Sequence, residues 1–197
     1  MLPMKELLLL LLVALLSGCA TQSPPAHFYV LSAKAQTAQA AHPGLVVGIG
    51  PVSIADYLDR NQIVRRDTDV QLQMDEFNRW AGDHRKNITT VLADNLSRIL
   101  GSEAVLPYPW ASTLDLDYQI VVDVSRFDAT SENRVVLDVQ WQLFDGRTNK
   151  LLNVRRSHIE TTVANNSHAA QVEAQNQALV SLGQILAKSL VSMTTGG

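Results

Sequence analysis

An unbroken apolar run from Leu7 to Leu16, ending three residues before the only cysteine, Cys19, limits what this chain can fold into. Ten residues are too few for a membrane-spanning helix, which needs about 20, and they match the core of an export signal, about 7 to 15. Lys5 ahead of the run and Ser17-Gly18 behind it supply the flanks of such a signal. The folded body is therefore expected to use only the residues beyond 18, which number 179 of the 197. That length suits one domain with one core. A content of 46% hydrophobic and 18% charged residues is that of a globular chain and excludes a disordered, collagenous or coiled-coil one.

The junction Leu16-Ser17-Gly18-Cys19 resembles the lipobox of bacterial lipoproteins, in which a lipidated cysteine becomes the first mature residue. The resemblance implies lipid attachment at Cys19, with two fatty chains on the thioether-linked glycerol and one on the new amino terminus. One chain anchors marginally and two anchor stably, so such a protein would be membrane-bound without spanning anything. Ala20, where an Asp would favour inner-membrane retention in enterobacteria, implies the periplasmic face of the outer membrane. The resulting division is a signal peptide at 1–18, a lipidated cysteine and tether at 19–26, and a folded domain at 27–197. Ser23-Pro24-Pro25 stiffens the tether, whose seven residues from Ala20 to Ala26 reach about 20 to 25 Å.

Function classes fall away quickly. A formal charge of -3 argues against a nucleic-acid partner, and one cysteine excludes an internal disulfide or a cysteine-built metal site. His27, His42, His84, His158 and His168 lack metal-ligand spacing, so no metal or cofactor is expected. Gly48-Ile49-Gly50 follows a strand-like run, but Ser53 stands where a dinucleotide loop needs its third glycine, which leaves a turn or bulge. Asp83-His84 and Asp75-Glu76 read as helix-start or turn carboxylates rather than acid/base machinery.

Periodicity places the elements. Phe28 to Leu31 and Leu45 to Ile54 read as strands, Ile63 to Arg65 and Val70 to Met74 as short ones, and Ser32 to Pro43 as a loop. Ile88, Val91, Leu92, Leu96 and Ile99 repeat every 3.6 residues, predicting a helix over 83–100 with Asp83 as N-cap and Gly101 as stop. Tyr118 to Val124, Val135 to Leu143 and Leu151 to about Thr162 alternate as an antiparallel meander with a tight turn at Asp145-Gly146. A second helix follows from His168 to about Met193. The expectation is a single α+β domain: a mixed, largely antiparallel sheet with two long amphipathic helices packed on it. Trp141 continues an apolar face and belongs to the core, whereas Tyr57, Leu58, Trp80 and Trp110 are candidates for an interface. Core packing remains an equal alternative for Trp80.

Phe28-Tyr29-Val30-Leu31, Gly48-Ile49-Gly50-Pro51-Val52, Tyr57-Leu58-Asp59-Arg60, Gln62-Ile63-Val64-Arg65 and Arg79-Trp80-Ala81 before a long helix, taken in that order, resemble the ABC-type transport auxiliary lipoproteins. The resemblance implies a non-enzymatic docking or tip component of an MCE-type intermembrane transport system, where a conduit moves lipids between the two membranes. It implies as partners an MCE-domain protein of a Pqi-like system and phospholipid, beside the membrane reached through Cys19. A tube-like partner presents symmetric copies of one surface, which favours a matching homo-oligomeric ring. Two alternatives stay open: a periplasmic lipid-binding carrier, and an envelope hydrolase built from a serine, His158 and a carboxylate.

Overall fold

A computed structural model describes residues 3, 5, 24–37, 42, 44–111 and 114–194. The segment read as an export signal, apart from Pro3 and Lys5, and Cys19 lie outside them. The order of elements is β1 (His27–Tyr29), β2 (Val47–Ile54), β3 (Gln62–Thr68), β4 (Gln71–Trp80), α1 (His84–Leu100), β5 (Val105–Pro107), β6 (Tyr118–Thr130), β7 (Arg134–Asp145), β8 (Leu151–Thr162) and α2 (His168–Thr194). They build a single eight-stranded sheet with two helices.

β6 is the spine. One edge pairs along its length with β7, and β7 pairs with β8, both antiparallel. The other edge is shared: β2 runs parallel to residues 118–124, and β3 joins only at Arg65↔Ala129 and Arg66↔Thr130, also parallel. β4 pairs antiparallel with β3, while β1 joins β4 and β5 joins β2 in parallel. Four of these seven pairings are parallel, so the sheet is mixed and mostly parallel in its connections. The expected largely antiparallel sheet is corrected accordingly. Alternation of apolar residues reports which face is buried, not the direction of the neighbouring strand. Only the β3–β4 hairpin and the meander β6–β7–β8 are joined by short turns that impose antiparallel order along whole strands.

Helix α1 begins and ends as its sequence dictates. Asp83 is the N-cap and its carboxylate accepts from the Lys86 N–H; Gly101 adopts the left-handed conformation (φ 63°) that closes helices. The N-cap role answers the Asp83 question in favour of structure. The buried residues of α1 join those of α2 and the inner face of the sheet, Ile120, Val122, Val124 and Phe127 from β6 and Val135, Leu137, Val139, Trp141 and Leu143 from β7, in one core. Buried Gln171 and Gln175 of α2 donate to the Val64 and Phe127 carbonyls, where β3 and β6 share just two residue pairs.

The stretch read as a loop from Ser32 is irregular but held through Ala35 by amides on both helices. Asn87 Oδ1 accepts from the Leu31 N–H, Asn95 Oδ1 from Lys34 and Ala35, and Asn176 Oδ1 from Ser32. Leu31 and Ala35 are buried beneath this strap. Val70, read as part of a strand, instead sits at the β3–β4 turn, where its side chain is 95% exposed.

Candidate functional site

The domain has two distinct ends. At the first, the strap's neighbour β1 lies beside residues 78–80 of β4 and runs parallel to it. The chain preceding His27 therefore approaches from the side of the β3–β4 and β6–β7 hairpin tips. At the opposite end, the last turn of α2 meets the start of β6 and the β7–β8 turn, with Met193 and Thr194 lining one cleft together with Asp117, Tyr118, Asp145 and Arg147.

The tether end contains the strongest polar cluster, and its centre is Asp128. This carboxylate is fully buried, yet four donor contacts satisfy it: Arg66 Nε (3.2 Å) and Nη2 (3.1 Å), Arg126 Nε (3.1 Å) and the Tyr57 hydroxyl (2.8 Å). The Arg66 guanidinium also lies 5.6 Å from the Tyr57 ring centre. Burial first, then the Asp128 charge, push the Tyr57 hydroxyl up to about 12. The Asp128 hydrogen bond raises Arg66 further, so its guanidinium keeps its charge at neutral pH. It locks the 55–61 connection against β6 and leaves Tyr57 no free donor. Sequence reading misses Asp128, Arg66 and Arg126 because the cluster joins segments some 60 residues apart.

The four interface candidates separate. Leu58 (3% exposed) and Trp80 (5%) are core residues, Trp80 stacking on His84 at 4.1 Å between centroids, so neither is presented at the surface of this domain. Leu58 is drawn into the same apolar cluster as Ile54 and Ile63; for Trp80 the core alternative holds. Tyr57 is half-buried and committed to Asp128. Trp110 is half-buried against Gly48, where a Cβ would lie 2.8 Å from the Trp110 ring, and it meets Tyr108 edge-on at 5.3 Å. A side chain at Gly50 would likewise strike Tyr108 at 2.5 Å. The two glycines thus admit aromatic rings against β2, beside the register shift between Ile49 and Val52.

His84, 4% exposed with no partner at Nδ1, is pushed down to about 4 by burial and stays neutral. His158 differs: it is exposed on the open face of the sheet, and its Nδ1 lies 2.5 Å from Asp138 while Nε2 faces Glu160 at 3.4 Å. The Asp138 hydrogen bond raises its pKa. Both ring nitrogens face carboxylates, and the nearby Ser125 hydroxyl donates to the Asp138 carbonyl, an arrangement with no serine at the imidazole. The cleft there, about 580 Å³, is walled by Asp123, Ser125, Asp138, Gln140, Arg156 and His158, a polar lining that does not suit an acyl chain. Among the described residues no group of histidine, cysteine and carboxylate side chains is arranged to hold a metal, and no helix is long and apolar enough to cross a membrane.

With this arrangement in view, comparison with known proteins assigns the class. The model of the ABC-type transport auxiliary lipoprotein component matches residues 29–187, and the chain belongs to that family. The family is one of transport auxiliary lipoproteins rather than enzymes. Among individual relatives, the chain is 25% identical over 142 residues to the intermembrane transport lipoprotein PqiC of Escherichia coli (strain K12), covering 71% of this chain and 74% of that protein. The Shigella flexneri PqiC matches to the same extent. In fold, the chain resembles the crystal structure of a Xanthomonas campestris protein with a TM-score of 0.71, at 17% identity, covering 86% of this chain and 98% of the other.

Proposed function

We propose that this chain is the outer-membrane-anchored, periplasmic lipoprotein of an MCE-type, Pqi-like intermembrane lipid transport system, and that it works as a docking component rather than as an enzyme. The family match, which begins at residue 29, ten residues beyond Cys19, carries the reading. A transport auxiliary domain starting this close behind the stretch that resembles a lipobox and a short stiff tether supports an anchored lipoprotein. The likeness to curated intermembrane transport lipoproteins supports the system, and Ala20 supports the membrane. Of the interface residues expected from sequence, Leu58 and Trp80 are buried, whereas Tyr57 and Trp110 are half-buried and keep some surface for docking. A homo-oligomeric ring remains the arrangement that lets each copy repeat one contact on a symmetric partner.

The test is the mature amino terminus. Intact mass of the membrane-extracted protein is expected to show a chain beginning at Cys19 and carrying three fatty chains. Cys19→Ala is expected to abolish membrane retention or to leave an uncut precursor. An unmodified terminus at another residue would end the proposal.

A further inference from the structure

A cleft between α2 and β8 sits near the end of the domain remote from the tether. Its floor is the ring of Trp141, fully buried and held by an Nε1–H···Oγ bond to Ser157 at 3.1 Å. Ile185, 38% exposed, forms an apolar wall, and Arg155, Lys188, Ser189 and Ser192 complete the lining. Neither cation at the rim has an ion pair, a state Lys188 shares with Lys86 and Lys150 among the described residues. Among the described residues, every arginine except Arg155 donates to a carboxylate, a carbonyl or another side chain. Arg155 and Lys188 meet no carboxylate among those residues.

Size selects the occupant. The cleft holds about 260 Å³, below the roughly 300 to 1,000 Å³ of small-molecule and cofactor pockets, but ample for one large side chain of the sort that anchors a protein interface. An apolar floor with unpaired cations at the rim is complementary to an apolar side chain flanked by carboxylates. Position agrees. Lys188 lies twenty residues beyond His168, about 30 Å along the helix axis, whereas Tyr29, just behind the tether, packs near His168 itself at 6.3 Å between rings. The cleft therefore lies well away from the membrane that would hold Cys19, on the part of the domain open to a partner.

We infer that the Trp141–Ile185 cleft is a docking pocket for a segment of a protein partner that inserts one large apolar side chain and sets acidic residues against Arg155 and Lys188. The inference rests on the docking reading above for its direction, and on the cleft's own chemistry for its ligand. A single pocket of this size binds weakly, in roughly the millimolar range, and several copies in one assembly multiply the effect.

The probe is a ten-residue peptide with a central Phe flanked by Glu and Asp, observed by saturation-transfer NMR against the full lipidated chain in nanodiscs. Saturation of the Phe ring is expected with the native protein, and at least about tenfold weaker binding with Ile185→Ser. The double variant Arg155→Glu/Lys188→Glu is expected to lose the acidic peptide and to accept its Lys-flanked counterpart, while Val70→Ser, at the other end, behaves as native. Both lining variants alter exposed positions, and circular dichroism confirms their folding. Equal binding of the acidic peptide by native and double-variant protein overturns the inference. So does an absence of peptide binding, and so does dihexanoylphosphatidylglycerol occupying the cleft where the peptide does not. Binding of the purified periplasmic region of the host's MCE-domain protein is read in parallel. Failure there with the peptide pattern intact sinks the docking reading and leaves the pocket; MCE binding undiminished in the variants does the reverse.

Discussion

Two regions of this domain, the Asp128 cluster and the Trp141–Ile185 cleft, treat their charges in opposite ways. Near the tether, Asp128 is buried and its four donor contacts come from three side chains, so every charge is committed to holding the 55–61 connection and β3 against β6. Near the far end, Arg155 and Lys188 stand at the rim of an apolar cleft with no carboxylate opposite among the described residues. Satisfied polar groups fix a shape, whereas spare donors beside an apolar floor are free to meet something else. The difference separates a structural cluster from a proposed binding cleft within one sheet.

Substitution of the structural carboxylate breaks the contrast most severely. Asp128→Ala leaves Arg66 and Arg126, only 17% and 26% exposed, without their shared partner. Losing one member of such a buried group costs about 3 to 5 kcal/mol. Urea unfolding is expected to show a loss near the lower figure, since both arginines retain some contact with water; a loss under about 1 kcal/mol would mean the cluster is not structural.

Next in size is the buried His84, whose Nδ1 has no hydrogen-bond partner among the described residues. Its folded pKa of about 4 lies below the ordinary value of 6.5, so the unfolded chain binds the extra proton as pH falls. Its contribution is complete above pH 6.5 and is lost progressively towards pH 4, by about 3 kcal/mol. His84→Phe, which keeps a ring against Trp80, is expected to flatten that part of the stability profile in pH-stepped denaturant melts. A variant as acid-sensitive as the native protein would assign the effect elsewhere. The smallest effect on folding belongs to Arg155→Glu/Lys188→Glu, within about 0.5 kcal/mol, because neither side chain has an ion-pair partner to lose.

Local patterns are legible where local physics sets them. Asp83 and Gly101 bracket α1 because a cap oxygen and a left-handed residue have few substitutes, and Val135 to Leu143 alternate because one face of β7 is buried. The parallel pairings of β2 and β3 with β6 leave no trace in either strand's own alternation, so strand direction beyond the meander is hidden from a sequence reading. Asn87, Asn95 and Asn176 look like ordinary polar positions on helices, yet Asn95 is fully buried and holds two backbone N–H groups of the strap. Trp141 is legible as core from its alternating face, but the cleft above it requires Arg155 and Lys188 to be brought together across two elements. Asp128 escapes for the same reason: Arg66 and Tyr57 are distant in sequence.

The arrangement rests on one orientation, with the hairpin tips towards the membrane and the α2–β8 cleft away from it. With Cys19 lipidated as proposed, a cysteine placed at position 70 or at position 188 would be the sole reactive thiol. Val70→Cys and Lys188→Cys, each labelled with one fluorophore on the full lipidated chain in vesicles containing headgroup-quencher lipids, report the distance of each end from the bilayer. Strong quenching at position 70 with little at position 188 is the expected result. Equal quenching, or stronger quenching at position 188, would contradict the orientation and with it the separation of an anchored end from a docking end.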